Sequence, residues 1–140
     1  CNATPVTTTG GVQPVGAFRN PGGSRADLTY AALKGEGDGV VTYEEAFTVQ
    51  PFNNYLVSMD MTGAQISALL QQQWSGSNAA TPKMLQISKG MSYKWQQGTA
   101  GRELVPGTLT IGSQPVIDTQ PYRSVTNNFL SGGVDNFAAI

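Results

Sequence analysis

Ile66, Leu69, Leu70 and Trp74 fall at i, i+3, i+4 and i+8 behind the run Thr62-Gly63-Ala64-Gln65. That spacing gathers four bulky apolar groups on one face of a helix. Thr62 is its cap, and Gln65 three positions on completes a capping box. Gln71, Gln72 and Ser75 take the opposite face, so the helix is expected to pack on one side only. It should end near Trp74, where Ser75-Gly76-Ser77-Asn78 breaks it. A helix with one apolar face needs a second layer to receive it. The rest of the chain reads largely as short strands, so the expected fold class is α+β, with mixed sheets and packed helices.

Residues 15–18 read as a short strand that runs into Asn20-Pro21-Gly22-Gly23-Ser24-Arg25-Ala26-Asp27. Pro21 fixes the entry of a turn there, and Gly22 and Gly23 permit close approach of a ligand to the backbone. Asn20 before the turn and Arg25 after it can point at one small polar molecule, and turns on a rigid scaffold commonly carry function. The plainer alternative is a surface loop with an Arg25–Asp27 ion pair of little energetic weight. Glu36 and Asp38 lack the spacing of an EF-hand and read as a solvated loop.

Thr42 and Glu45 form a second capping box, opening a short helix that stops near Val49, before Pro51. Residues 55–61 alternate apolar and polar, the mark of a half-buried strand. Strands are expected at 84–87 and 91–95 around Lys89-Gly90. A hairpin is expected at 108–111 and 115–118 around Gly112-Ser113, and a strand at 122–126. Residues 127–137 then form a second glycine-rich turn set carrying amides, Phe129 and Asp135.

A chain of 140 residues makes one domain with a sizeable core. Its formal charge of −1, with no basic stripe, argues against a nucleic-acid partner. No apolar run approaches the roughly 20 residues of a membrane span. Only 12% of residues are charged, and the abundance of neutral polar groups suits a secreted, periplasmic or cell-surface setting. Histidine is absent, which removes the commonest general base and metal ligand. Cys1 is the only cysteine, so no internal disulfide or thiolate cluster can form; it is read as a trimming artefact. Asn2-Ala3-Thr4 is a sequon in form. Residues 1–14 have no periodicity and read as a linker or loose N-terminal segment, with the domain proper at 15–140.

Three stretches have the same chemical character, namely 20–27, Phe52 with Asn53, and 128–137. Each sets a polar or aromatic side chain beside a turn. Phe52 and Phe129 offer two aromatic faces on which a nucleobase can stack. Arg25 can bind phosphate oxygens in bidentate fashion, and Asp135 can accept from vicinal sugar hydroxyls. Burial statistics alone favour core packing for each phenylalanine, and turn capping is the plain role for Asp135.

The run from Ala17 to Leu28, Val41-Thr42-Tyr43-Glu44-Glu45-Ala46-Phe47-Thr48-Val49-Gln50-Pro51-Phe52-Asn53-Asn54, Met61-Thr62-Gly63-Ala64-Gln65 and the close from Tyr122 to Phe137 occur in this order. Together they resemble the C-terminal domain of secreted 5′-nucleotidases and of their UDP-sugar hydrolase and cyclic-nucleotide phosphodiesterase relatives. The resemblance implies a layered α/β/β/α arrangement and the substrate-recognition half of a two-domain phosphohydrolase. It implies that Phe52 and Phe129 sandwich the base and that Asn20 hydrogen-bonds it. Arg25 would reach the ribose or phosphate side, Asp135 would hold ribose hydroxyls, and Gly22 and Gly23 would admit close approach. The partners it implies are a nucleotide or nucleoside and an N-terminal metallophosphoesterase domain. Two divalent ions would sit in that other domain and none in this chain, which is not expected to be catalytic by itself. Ser24, Val134 and Asn136 depart from the family's pattern, and residues 1–14 do not match its usual upstream segment. These departures motivate the alternative, a non-catalytic extracellular interaction module with a degenerate pocket.

Overall fold

A computed structural model of the chain describes residues 10–32 and 34–140. Cys1, the Asn2 sequon and most of the expected N-terminal linker lie outside the described residues. The fold is α+β, as the pattern of elements implies. Its main sheet has four strands, β1 (Gly16–Arg19), β2 (Leu56–Thr62), β3 (Gln86–Ile87) and β9 (Pro121–Asn127), in the order β2-β9-β1-β3. β9 runs parallel to β1 and antiparallel to β2, and β3 runs antiparallel to β1. The seven-residue β2–β9 register, from Leu56 opposite Asn127 to Thr62 opposite Pro121, is the longest pairing among the described residues. It turns Val57, Met59 and Met61 toward the core and leaves Leu56 and Asp60 exposed, following the period-2 rule. β9 is central and buries Ser124, Val125 and Thr126 in succession; the Thr126 hydroxyl donates to the Phe18 carbonyl at 3.0 Å.

Both capping boxes are formed. Thr42 and Glu45 open α1 (Tyr43–Val49), and Thr62 and Gln65 open α2 (Gly63–Gln72). Ile66, Leu69 and Leu70 are fully buried against Phe18, Met61, Leu85, Met91, Leu130 and Phe137. α2 ends two residues before the expected Trp74, which is buried beyond it against Tyr93 and Trp95, at ring-centroid distances of 6.3 Å and 5.8 Å. The face opposite the apolar stripe is not merely solvated. Gln71 bonds the backbone of Arg102 and Leu104, and Gln72 accepts from the Ala139 amide. Side-chain amides thus dock further segments on a second face of α2, which an apolar count cannot reveal.

Strands flank the Lys89-Gly90 turn as expected, shorter than 84–87 and 91–95, and they do not pair with each other. β3 joins the main sheet, whereas β4 (Met91–Ser92) pairs with β7 (Thr110–Ile111), which also pairs with β8 (Gln114–Pro115). The β7–β8 hairpin turns at Gly112 and Ser113, both with positive φ, 58° and 66°, as a two-residue hairpin loop requires. A further hairpin, β5 (Trp95–Gly98) with β6 (Gly101–Leu104), lies in a Gln- and Gly-rich stretch with little hydrophobic alternation, which conceals it in the sequence. Residues 127–137 form α3 (Asn128–Ser131) and a tight turn at Val134–Asn136.

Candidate functional site

The chain leaves β1 at Asn20 in an extended conformation, and Pro21-Gly22-Gly23 make one 3-10 turn. The Gly23 and Ser24 amides donate back to the Asn20 and Pro21 carbonyls at 3.2 and 3.3 Å. Arg19 braces the turn from behind, its Nη2 donating to the Gly23 carbonyl at 2.7 Å. The Arg25 amide then donates to the Val49 carbonyl at 2.9 Å, tying the turn to the C-terminus of α1. Three residues past that terminus lies Phe52, so this bond brings Arg25 and Phe52 together, with the guanidinium carbon 5.8 Å from the ring centroid.

A second clamp brings in the C-terminal segment. The Tyr55 amide donates to Asn128 Oδ1 at 2.9 Å, and the Asn128 amide donates to the Tyr55 carbonyl at 3.0 Å. Phe129, next in sequence, is thereby brought to the cleft that Phe52 also lines. Asn127 caps α3 by accepting from the Leu130 amide at 2.7 Å, and its Nδ2 reaches Asn20 Oδ1 at 3.3 Å. Asn20 is almost wholly buried, and its Nδ2 donates to Asp135 Oδ2 at 3.1 Å.

The result is a cleft of about 160 Å3 lined by Asn20, Gly22, Gly23, Arg25, Phe52, Asn54, Phe129 and Asp135. Asn20, Gly22, Gly23, Arg25, Phe52, Phe129 and Asp135, far apart in the sequence, all line this one cleft. Phe52 and Phe129 are each 44% exposed, so the core-packing role favoured by burial statistics does not apply to either. In the Phe52 segment it is Asn54, not Asn53, that lines the cleft. Asp135 does more than cap a turn. Its carboxylate receives Asn20 on one oxygen and Lys83 Nζ, at 2.6 Å, on the other.

Lys83, Asn78 and Asn127 were not anticipated, although each supports the cleft. Asn78 Nδ2 donates to the Asp135 carbonyl at 3.0 Å, and its Oδ1 accepts from Asn136 Nδ2 at 3.0 Å. An isolated lysine and two asparagines near turns and a helix start are the only sequence signal here, and that signal is shared with any turn or cap. Val134 and Asn136 do not abolish the turn. Gly133, Asp135 and Asn136 all take positive φ, and asparagine and aspartate tolerate that region better than most side chains. The cleft offers aromatic faces, one guanidinium, amides and a carboxylate, a set suited to a flat hydrogen-bonding ligand that carries hydroxyls and an anionic group.

These features define a small α+β domain whose turns converge on an aromatic and polar cleft. The family model described as the 5′-nucleotidase C-terminal domain matches residues 7–140. The chain belongs to the 5′-nucleotidase C-terminal domain family. It is 37% identical over 128 residues to a cell wall protein of Listeria monocytogenes, covering 88% of this chain and 15% of that protein. It is 25% identical over 135 residues to a probable 5′-nucleotidase of Treponema pallidum, covering 88% of this chain and 20% of the relative. Among solved structures, the 5′-nucleotidase precursor of Thermus thermophilus matches with a TM-score of 0.67 and 28% identity, over 90% of this chain and 24% of that one. The chain thus spans about a fifth of the length of these relatives. No helix among the described residues is long and apolar enough to cross a membrane.

Proposed function

We propose that the chain is the nucleotide- or nucleoside-recognition domain of a secreted or cell-surface phosphohydrolase of the 5′-nucleotidase type. The observation that carries this reading is the convergence of Phe52, Phe129, Arg25, Asn20 and Asp135, from distant segments, on one cleft. Phe52 and Phe129 stack the base, each contact contributing about 1–3 kcal/mol. Asn20 and Asn54 offer amides to its hydrogen-bonding edge. Asp135 accepts from ribose hydroxyls, and Arg25 faces the phosphate. Gly22 and Gly23 present main chain without side chains in the way.

Phosphoryl transfer on this reading belongs to a partner metallophosphoesterase domain that holds two divalent ions. Among the described residues, no three His, Cys, Asp or Glu side chains come together as a metal-ligand set. No hydrolytic step is assigned to this chain. Its part is to bind and orient. The identity with a cell wall protein supports a surface location.

Calorimetry with AMP, UMP, adenosine and uridine tests the reading. Saturable binding of at least one of them, weakened in Phe52→Ala, is the expected result. A folded chain that binds none of the four refutes it and favours the alternative, an extracellular interaction module whose pocket is degenerate at Ser24, Val134 and Asn136.

A further inference from the structure

We propose that Lys83 is a positioning residue for Asp135 and, through it, for the hydroxyl-bearing part of the ligand; this rests on the recognition role proposed above. Lys83 does not line the cleft, yet its ammonium lies 2.6 Å from Asp135 Oδ1 while Asn20 Nδ2 lies 3.1 Å from Oδ2. The carboxylate is held at both oxygens by donors from well-separated parts of the sequence. Each carboxylate oxygen has room for about two hydrogen bonds. The protein supplies one on each, leaving one acceptor position per oxygen. Two such positions side by side match a pair of vicinal hydroxyls. The Lys83 charge also offsets that of Asp135, so an anionic ligand can enter without meeting an unbalanced carboxylate.

The backbone on both sides of the ion pair is built to fix it. Asp135 sits at φ 59°, ψ 21°, a region that side-chain-bearing residues seldom adopt, and Asn78 holds its carbonyl at 3.0 Å. Such a conformation persists only where the surroundings over-determine it. On the other side, the Lys83 amide donates to the Gln73 carbonyl at 2.8 Å. Gln73 is fully buried at the end of α2, with its Nε2 on the Leu70 carbonyl and its Oε1 accepting from the Leu85 amide at 2.7 Å. A buried amide post thus anchors the backbone from which Lys83 reaches Asp135. About a third of the Lys83 side chain and a quarter of the Asp135 side chain are exposed, so the pair is part-buried, and Lys83→Arg, which keeps the charge, controls for any loss of stability.

The test compares wild type, Lys83→Met and Lys83→Arg, each checked for an unchanged melting temperature. The ligands are adenosine or uridine, whichever the wild type binds more tightly, and its 2′,3′-dideoxy counterpart. Lys83→Met should weaken the ribonucleoside about tenfold, the scale of one charge-assisted hydrogen bond, and the dideoxy ligand by less than about twofold. Lys83→Arg should restore most of the loss. No loss, or an equal loss on both ligands, overturns the proposal. A readout without ligand separates the two readings. The Asp135 and Asn136 amide resonances should move in Lys83→Met and return in Lys83→Arg, and resonances that stay put overturn the positioning role outright. If they move but the wild type binds no nucleoside or nucleotide, the recognition reading fails, and the ligand half of this proposal with it.

Discussion

The guanidinium carbon of Arg25 stands 5.8 Å from the centroid of the Phe52 ring, in a cleft that both residues line. A cation held over an aromatic face is partly pre-oriented, and the opposite ring face can meet a base. Arg25→Ala should therefore leave the melting temperature nearly unchanged while weakening AMP more than adenosine. A bidentate phosphate contact sets the difference at about tenfold. Paired calorimetric titrations of the two ligands check it, and equal weakening would remove Arg25 from the phosphate side.

Asn20 is nearly sealed from solvent, and its amide bridges Asp135 and Asn127. Replacing it with leucine strands both partners and should cost about 1–3 kcal/mol of stability. Urea unfolding measures this directly. Because Asp135 loses one of its two side-chain donors, ribonucleoside binding should fall in the same variant.

Gly63 opens α2 where the chain before β9 crosses it. A Cβ there would lie 2.3 Å from the Ile117 carbonyl oxygen and 2.6 Å from a Val116 methyl. Backbone cannot swing aside as a side chain can, so Gly63→Ala should destabilise the protein by about 3 kcal/mol. A variant as stable as wild type in thermal unfolding would contradict that close approach.

Asp60 faces Arg123 across the β2–β9 register, with Arg123 Nη2 2.9 Å from Asp60 Oδ2. Hydrogen bonding from the guanidinium lowers the Asp60 carboxyl below the usual carboxylate range. A depressed folded-state value stabilises the protein above the unfolded-state pKa of about 4, and that contribution is lost as pH falls through the folded-state value. Asp60→Asn should thus be less stable than wild type at neutral pH, and the gap should close on acidification. Melting temperatures of the two proteins from pH 7 to pH 2 give the comparison.

Local signals in the sequence are reliable where the physics is local. Both capping boxes form, because a threonine oxygen and a glutamate or glutamine three residues on satisfy helix amides without outside help. The stripe of Ile66, Leu69 and Leu70 chooses its face for the same kind of reason. Strand partners are less legible. Nothing in residues 84–95 states that β3 must join β1 while β4 joins β7, since two-residue strands carry almost no register information. The site is half readable. Arg25, Phe52, Phe129 and Asp135 stand out as chemistry beside turns, and the family resemblance supplies their common purpose. Lys83 and Asn78 do not, because a single lysine or asparagine in a loop acquires meaning only from what lies across from it.

The parallel pairing of β1 with β9 joins segments more than a hundred positions apart, and Asn20 meets Asp135 only once that pairing exists. A ribosome making this chain therefore cannot complete the cleft until Asp135 has left the exit tunnel. A premature stop before that residue yields a product that lacks the Asn20–Asp135 bond.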